Sequence, residues 1–193
     1  MPFTVLFVCT GNICRSPLGE RLFTARATDA DVRAVSAGTS ALVGYGIDGP
    51  SALVLRELGG DPDGHTAQRI SRTLVDSADL ILTAETSHRS TVLRAEPAAF
   101  RRTFTMREFA RLGAAAPAAG ARDLAGLRER VFEIAALRGQ VAAAEPGGDD
   151  VGDPYGGSLE IARIAGHQIA TAVDAAIDAL GLVSPAGRRP DGR

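Results

Sequence analysis

An apolar run that leads directly into a short loop and then into a helix constrains the fold of this chain most. Val5-Leu6-Phe7-Val8 is continuously apolar, which is typical of a parallel strand that is covered on both faces. The loop Cys9-Thr10-Gly11-Asn12-Ile13-Cys14-Arg15-Ser16 follows, and Pro17 then suits the first turn of a helix. A loop at the end of a parallel strand lies where α/β folds bind anions. The pattern therefore predicts an α/β fold with an anion site after its first strand.

The residue types in this loop suit an oxyanion. Backbone N–H groups in such a loop point inward, and the helix that follows contributes its positive end. The planar guanidinium of Arg15 matches two phosphate oxygens, and Gly11 and Asn12 tolerate unusual backbone angles. A cysteine at the base of such a loop is stabilised as the nucleophilic thiolate, which makes Cys9 the candidate nucleophile. The alternative is that Cys9 is a small buried residue and that its spacing from Arg15 arises by chance.

Strand and helix patterns alternate along the rest of the chain. Strands are predicted over 4–8, 32–36, 80–83 and 103–106, and helices over 17–27, 50–58, 74–78, 86–94, 123–138 and 158–180. The last helix has Ser158 as its N-cap and ends at Gly181. This alternation predicts a parallel sheet with helices on both faces.

Composition excludes several classes of protein. The 193 residues, 45% of them hydrophobic, predict a single domain over 1–183, and residues 184–193 are expected to form a disordered tail. A net charge of −2 indicates neither a nucleic-acid partner nor a polybasic membrane patch, and no apolar segment is long enough to enter a bilayer. The start of the chain lacks secretory features, so we expect a cytoplasmic protein. Two cysteines and three histidines make a poor zinc set, so no metal or other cofactor is expected. The oligomeric state stays open.

The loop and the segments around it resemble one enzyme family. The string V-L-F-V-C-T-G-N-I-C-R-S-P is similar to the signature of low-molecular-weight protein tyrosine phosphatases. Four further motifs come in the family's order, namely Ser36-Ala37-Gly38, the segment 65–71, the segment 79–82 and Asp153-Pro154-Tyr155. The resemblance implies a flavodoxin-like fold, which is a four-stranded parallel sheet with helices on both faces in a single domain.

The resemblance also implies roles for the residues of the loop. Cys9 attacks phosphorus and forms a phosphocysteine, while Arg15 and the amides of the loop (Thr10, Gly11, Asn12, Ile13, Cys14 and Ser16) hold the phosphate oxygens. Asp153 is the general acid and then the general base. Asp-Pro also occurs at Asp61, which we interpret as an ordinary turn.

Other residues are expected to support the loop. The resemblance implies that Asn12, Ser36 and His65 are linked by hydrogen bonds and that Ser16 donates one to Cys9. Cys14 is either a small packing residue or a thiol that traps oxidised Cys9 in a disulfide. His88 and His167 have no support from a motif and are predicted to be helix-surface residues.

The substrate is predicted from the walls of the site. Leu42 and Tyr155 are expected on the substrate side, and Ile13 offers an apolar wall for an aryl ring, so phosphotyrosine in a protein is the predicted substrate. The segment 36–46 resembles the bacterial branch that acts on autophosphorylating tyrosine kinases. Asp-Pro-Tyr-Gly-Gly resembles bacterial protein-arginine phosphatases, which carry threonine at the position of Ile13, so an arginine phosphatase is the main alternative.

Two other classes are less favoured. Thioredoxin-coupled arsenate reductases share the loop but need further cysteines, and this chain has none after Cys14. A phosphate-binding module without catalysis would be expected to lack the nucleophile or the acid, and both are present.

One segment is longer than is usual in the family. Residues 113–148 are expected to form a helical insertion before the acid loop, with an Ala/Pro/Gly linker over 113–120 and an amphipathic helix over 123–138. The favoured interpretation is that this helix covers exposed core. The alternative is a lid or a partner-docking helix beside the acid loop.

Overall fold

The computed structural model describes residues 1–27, 29–119 and 123–182 and contains one parallel sheet of four strands. The strands are Phe3–Cys9 (β1), Val32–Gly38 (β2), Leu80–Thr83 (β3) and Thr103–Thr105 (β4). Their order across the sheet is β2-β1-β3-β4, and every pair is parallel. This topology confirms the predicted flavodoxin-like fold. The predicted tail, 184–193, lies outside the described residues.

Helices connect the strands and cover both faces of the sheet. They are Arg15–Arg26 (α1), Gly49–Glu57 (α2), Arg72–Ser77 (α3), Thr86–Ala95 (α4), Met106–Ala115 (α5), Leu124–Ala136 (α6) and Leu159–Leu180 (α7). In α7, Ser158 caps the first turn and Gly181 ends the helix with φ 73°, as predicted. In the described part of the chain, none of the helices combines the length and hydrophobicity that crossing a membrane requires.

The sequence patterns missed a 3₁₀-helix at Pro97–Arg102 and all of α5. The predicted linker over 113–120 was therefore wrong at its start, because α5 continues to Ala115. Thr105 and Glu108 form a reciprocal capping box at the start of α5. Phe109 and Leu112 then bury its inner face, which offsets the low helix propensity of Gly113.

Side chains of β1 divide the core into two layers. Phe3, Val5 and Phe7 point into the larger layer, which also contains buried side chains of α1, α2, α5, α6 and α7. Leu6 and Val8 point into the smaller layer with side chains of α3 and α4. Helices therefore cover β1 on both faces, which accounts for its continuously apolar sequence.

The helix α6 belongs to the larger layer. Leu127, Val131 and Ile134 are at most 1% exposed. The guanidinium of Arg130 is also buried, and it donates from Nε to the carbonyl of Ala179 at 2.8 Å. Helix α6 is therefore packed into the core, which agrees with the favoured interpretation that it covers apolar surface.

The position of α6 disagrees with a lid over the loop of residues 9–16, which we call the anion loop. Arg128 on α6 donates to the carboxylate of Asp79 at 2.7 Å, and Asp79 immediately precedes β3. This contact lies at the amino end of the sheet, whereas Cys9 lies at the carboxyl end of β1. That residues 113–148 are an addition to the family's usual chain stays a prediction.

Replacing Ile134 by alanine is expected to lower the free energy of unfolding by about 2–4 kcal/mol, because the change leaves a cavity in a closed layer. Glu129→Ala, on the exposed side of the same helix, should change it by less than about 0.5 kcal/mol. Urea unfolding followed by circular dichroism measures both values. Equally small effects would show that α6 is only loosely attached to the domain.

Candidate active site

In the loop after β1, the carbonyl groups of residues 9–13 point away from the centre of the loop. The segment that follows β2 supplies backbone donors to the carbonyls of Cys9, Thr10 and Gly11 at 2.9–3.0 Å. His65 Nε2 donates to the carbonyl of Asn12 at 2.8 Å, and the amide of Asp48 donates to that of Ile13 at 2.8 Å. Because these carbonyls are engaged outside the loop, its amides face the centre, as an anion site requires.

Asn12 holds the turn at the middle of the loop. It has φ 56°, and it is the one non-glycine residue with positive φ in the described part of the chain. Its buried amide nitrogen donates to Ser16 Oγ at 2.9 Å and to Ser36 Oγ at 2.8 Å. Its Oδ1 accepts from the amide of Gln68 at 2.9 Å, and Ser36 in turn donates to Glu20. These bonds fix a left-handed conformation that asparagine tolerates better than most residues.

The sulfur of Cys9 lies at the base of the loop beside a hydroxyl. Cys9 is 2% exposed, and its Sγ is 3.0 Å from Ser16 Oγ. Ser16 Oγ accepts a hydrogen bond from the amide of Asn12, so its own hydrogen is free to donate, and the sulfur is closer than the other acceptor, the carbonyl of Ala37 at 3.3 Å. Ser16 is therefore placed to donate a hydrogen bond to the sulfur.

Arg15 brings a buried positive charge to the same pocket. Its Nη1 donates to the carboxylate of Glu85 and to the carbonyl of Val151, the latter at 3.0 Å. Its Nη2 lies 3.2 Å from Asp153 Oδ2, and its buried Nε has no hydrogen-bond partner among the described residues. Burial acts to raise the pKa of Glu85, but the hydrogen bond and charge of Arg15 outweigh it and hold that pKa below its usual value. Glu85 is therefore ionised and orients the guanidinium.

The segment that carries Asp153 is tied to the carboxyl ends of the neighbouring strands. The amide of Val151 donates to the carbonyl of Ala84, just after β3, at 2.8 Å. The carboxylate of Asp150 accepts from the amide of Thr86 at 2.8 Å. Asp153 itself is half exposed, and its Oδ1 accepts from the amide of Tyr155 at 3.3 Å. The anchors place its carboxylate at the rim of the pocket, facing Arg15.

The loop forms the base of a pocket of about 190 Å³, and residues from other segments form its rim. Most of the predicted site residues line it, and its lining comprises Cys9, Thr10, Gly11, Ile13, Cys14, Arg15, Ser40, Leu42, Asp153 and Tyr155. The predicted residues Asn12, Ser16, Ser36 and His65 lie behind the loop and support it. Leu42 and Tyr155 stand at the mouth, 39% and 61% exposed.

The prediction for His88 was wrong, whereas His167 is exposed as predicted. His88 is 4% exposed, and its Nε2 lies 2.8 Å from Thr10 Oγ1. It is buried because the first turn of α4 packs against the anion loop, so this face of the helix meets Thr10 and not solvent. Glu85 was also missed, although its position directly after β3, at the same edge of the sheet as Cys9, was a usable signal.

Cys14 is a protonated packing residue at neutral pH. Its side chain lies in a small apolar cluster with Ile13 and Ala67. Burial raises the pKa of the Cys14 thiol to about 12. Asp61 also behaves as expected of an ordinary turn, because its carboxylate accepts from the amide of Asp63 at 2.9 Å. The role of Cys14 in redox chemistry stays a prediction.

Comparison with known proteins agrees with this geometry. The sequence profile of the low molecular weight phosphotyrosine protein phosphatase family matches residues 4–117. More than half of the chain is matched, and the chain belongs to this family. The matched part contains the anion loop, Ser36, His65 and Glu85, but it ends before Asp153.

Individual relatives match over different lengths. The chain is 39% identical over 94 residues to the probable low molecular weight protein-tyrosine-phosphatase AmsI of Erwinia amylovora, which covers 49% of this chain and 64% of that protein. It is 45% identical over 84 residues to the low molecular weight protein-tyrosine-phosphatase Wzb of Escherichia coli K12, which covers 44% and 56%. Both alignments therefore span less than two thirds of the relative's own length.

A third relative matches almost from end to end. The chain is 26% identical over 174 residues to a protein-arginine-phosphatase from Geobacillus stearothermophilus, which covers 90% of this chain and 93% of that protein. The crystal structure of the Erwinia phosphatase superposes with a TM-score of 0.68 at 25% identity over 93% of both chains. The structure of the YwlE arginine phosphatase from Geobacillus stearothermophilus also superposes, with a TM-score of 0.66 at 26% identity over 90% of both chains, so tyrosine and arginine phosphatases share this fold.

Replacing Asn12 by alanine removes its side-chain hydrogen bonds and leaves a positive φ, so we expect the free energy of unfolding to fall by about 3–4 kcal/mol. Asn12→Gly removes the same bonds but tolerates the backbone angle, and it should be about 1 kcal/mol less destabilising. Denaturant unfolding of the three proteins measures the difference. An alanine variant as stable as the glycine variant would show that the backbone angle carries no penalty.

Proposed function

We propose that this protein is a protein-tyrosine phosphatase that works through a phosphocysteine intermediate. The observation that carries the proposal is one pocket in which the sulfur of Cys9, the guanidinium of Arg15 and the carboxylate of Asp153 converge. Phosphate esters resist anionic nucleophiles because their oxygens repel them, so a catalyst must neutralise the oxygens, align a nucleophile and protonate the leaving group. The three residues supply these functions.

In the first step the Cys9 thiolate attacks phosphorus in line with the tyrosine oxygen. The S–P bond forms and the P–O bond to tyrosine breaks, which gives a phosphocysteine. Inward-facing amides of the loop and the Nε and Nη2 groups of Arg15 hold the three remaining oxygens. Ser16 stabilises the sulfur as a thiolate before attack and as the leaving group afterwards, because it already donates to Sγ.

Asp153 transfers protons in both steps. It protonates the tyrosine oxygen as the P–O bond breaks, and it then takes a proton from the water that attacks the phosphocysteine. That attack breaks the S–P bond, releases phosphate and regenerates the thiolate. The position of Asp153 at the rim, across the pocket from the base of the loop, supports this assignment.

The network behind the loop fixes these groups before substrate arrives. Asn12 and Ser36 share a hydrogen bond of 2.8 Å, and His65 holds the carbonyl of Asn12. A preformed site does not have to reorganise during the reaction, and this preorganisation is the main source of electrostatic catalysis. We therefore assign Asn12, Ser36 and His65 as positioning residues.

Apolar walls support an aryl phosphate as the substrate. Ile13, Leu42 and Tyr155 line the pocket, and the two rim residues are exposed enough to contact a ring that enters it. The alternative is a phosphoarginine substrate, which is supported by the near end-to-end match to the Geobacillus arginine phosphatase. Ile13 favours tyrosine, because it has no polar atom to meet a guanidinium.

The thiol chemistry of the site also bears on the cellular compartment and the substrate. Both cysteines are free thiols, so the enzyme needs a reducing compartment, and we propose the cytoplasm. The substrate is a phosphotyrosine protein. The resemblance of the 36–46 segment to the branch that acts on tyrosine kinases supports a bacterial tyrosine kinase or one of its targets.

Asp153→Asn is expected to slow hydrolysis of phenyl phosphate by about 10²–10⁴-fold, because this poor leaving group needs the proton. Aryl phosphates of more acidic phenols, such as para-nitrophenyl phosphate, should be affected much less. A series of leaving groups assayed under one set of conditions measures the trend. Asp61→Asn, at the other Asp-Pro, is the matched control and should behave as wild type. An equal loss for every leaving group would contradict the role of Asp153 as the acid.

Ile13→Thr is expected to shift the preference between phosphotyrosine and phosphoarginine peptides by roughly tenfold toward phosphoarginine, because it puts a hydroxyl in the apolar wall. The measurement is kcat/KM for matched peptides with both enzymes. The wild type should prefer phosphotyrosine. A wild-type preference for phosphoarginine would overturn the assignment of the substrate and favour the arginine alternative.

A further inference from the structure

A buried histidine contacts the pocket from behind, outside the groups assigned so far. His88 lies on the first turn of α4, and its Nε2 is 2.8 Å from the hydroxyl oxygen of Thr10. Thr10 directly follows Cys9, is exposed and lines the pocket. The pair thus joins a polar side chain in the phosphate pocket to a buried side chain that has no access to substrate.

His88 is a neutral imidazole at pH 7. Burial lowers its pKa below the usual 6.5, and the charge of Arg15 acts in the same direction, while the carboxylates of Glu85, Asp153 and Asp150 oppose it. Neutrality is useful here, because a cationic His88 would compete with Arg15 for Glu85. The Nδ1 atom is buried and has no hydrogen-bond partner among the described residues.

The unpartnered nitrogen indicates which tautomer is present. A proton on Nδ1 would be a buried donor without an acceptor, which is rarer in proteins than an unused acceptor. The proton therefore lies on Nε2, and Nε2–H donates to Thr10 Oγ1. As a result the hydroxyl hydrogen of Thr10 is free to donate to another group.

We propose that the Thr10 hydroxyl is a phosphate-binding donor of this pocket and that His88 is the positioning residue that orients it. The proposal rests on the proposed function for its substrate, and it adds a side-chain contact to the backbone amides of the loop. A phosphate dianion has only acceptors, so Thr10 must donate to it. Thr10 can do so because His88 supplies the proton of their mutual hydrogen bond.

Binding of inorganic phosphate to the full chain, measured by titration calorimetry at pH 7, tests the pair. Thr10→Val and His88→Leu should each raise Kd about tenfold, as loss of one hydrogen bond to a charged group would. In the double variant Kd should also rise about tenfold and not a hundredfold, because the two residues act as one unit. His88→Gln carries an amide N–H in place of Nε2–H, and it should recover most of the lost affinity.

The controls separate orientation from general damage. His167→Gln, at the exposed histidine of α7, should bind phosphate as wild type does. Thr10→Val is nearly isosteric, so it tests the proposal even if His88→Leu fails to fold in thermal unfolding. Wild-type affinity in Thr10→Val, additive losses in the double variant, or no recovery in His88→Gln would each overturn the proposal.

The outcome of the phosphate-binding titrations does not depend on catalytic turnover. Phosphate binding measures the pocket and not the reaction. The predicted affinities of the single and double variants can therefore be found in a protein that hydrolyses no aryl phosphate. In that case only the proposed function fails. Normal hydrolysis in the wild type together with wild-type phosphate affinity in Thr10→Val would leave the proposed function intact and remove this inference.

Discussion

The guanidinium of Arg15 is buried, and the other groups of the site are arranged around it. An unpaired charge at this depth would be very unfavourable, so the fold must surround it with acceptors. Glu85 supplies a carboxylate from the turn after β3. The segment before α7 supplies the carbonyl of Val151 and, at the rim of the pocket, the carboxylate of Asp153. One side chain therefore joins its own loop to two segments that are remote in sequence. The same arrangement leaves its Nε free of protein partners in the described residues, as a phosphate-binding group requires.

The sheet order explains why these segments meet. Connections from β1 lead to β2 on one side and reach β3 on the other, so a crevice opens at the carboxyl ends of β1 and β3. The loop after Cys9 enters this crevice from β1, and Glu85 and His88 enter from the turn after β3. The inward amides of the loop, the paired guanidinium of Arg15 and the hydroxyl of Thr10, held by the neutral imidazole of His88, then supply positive potential and hydrogen-bond donors in this crevice. The fold thus supplies the polar surroundings, and the rim that Leu42 and Tyr155 form is apolar.

The sequence predicts well what is local and poorly what depends on remote contacts. The apolar run of β1 and the capping signals at Ser158 and Gly181 are local, and the structure agrees with them. Asp153 was chosen only through the family resemblance, since aspartate before proline also occurs at an ordinary turn. His88 was misjudged because its burial depends on α4 packing against a loop 78 residues away. Local polarity therefore says little about where a polar side chain lies once helices close over a sheet.

The proposed mechanism requires the sulfur of Cys9 to accept the phosphoryl group. The most direct measurement is to quench the enzyme with acid during turnover of an aryl phosphate and to locate the phosphoryl group by mass spectrometry of the digested chain. We expect a phosphoryl group on the peptide that contains Cys9, attached at that sulfur, and loss of aryl phosphate hydrolysis in the Cys9→Ser protein. A phosphoryl group on another residue of the wild-type chain, or undiminished hydrolysis by Cys9→Ser, would rule out Cys9 as the nucleophile.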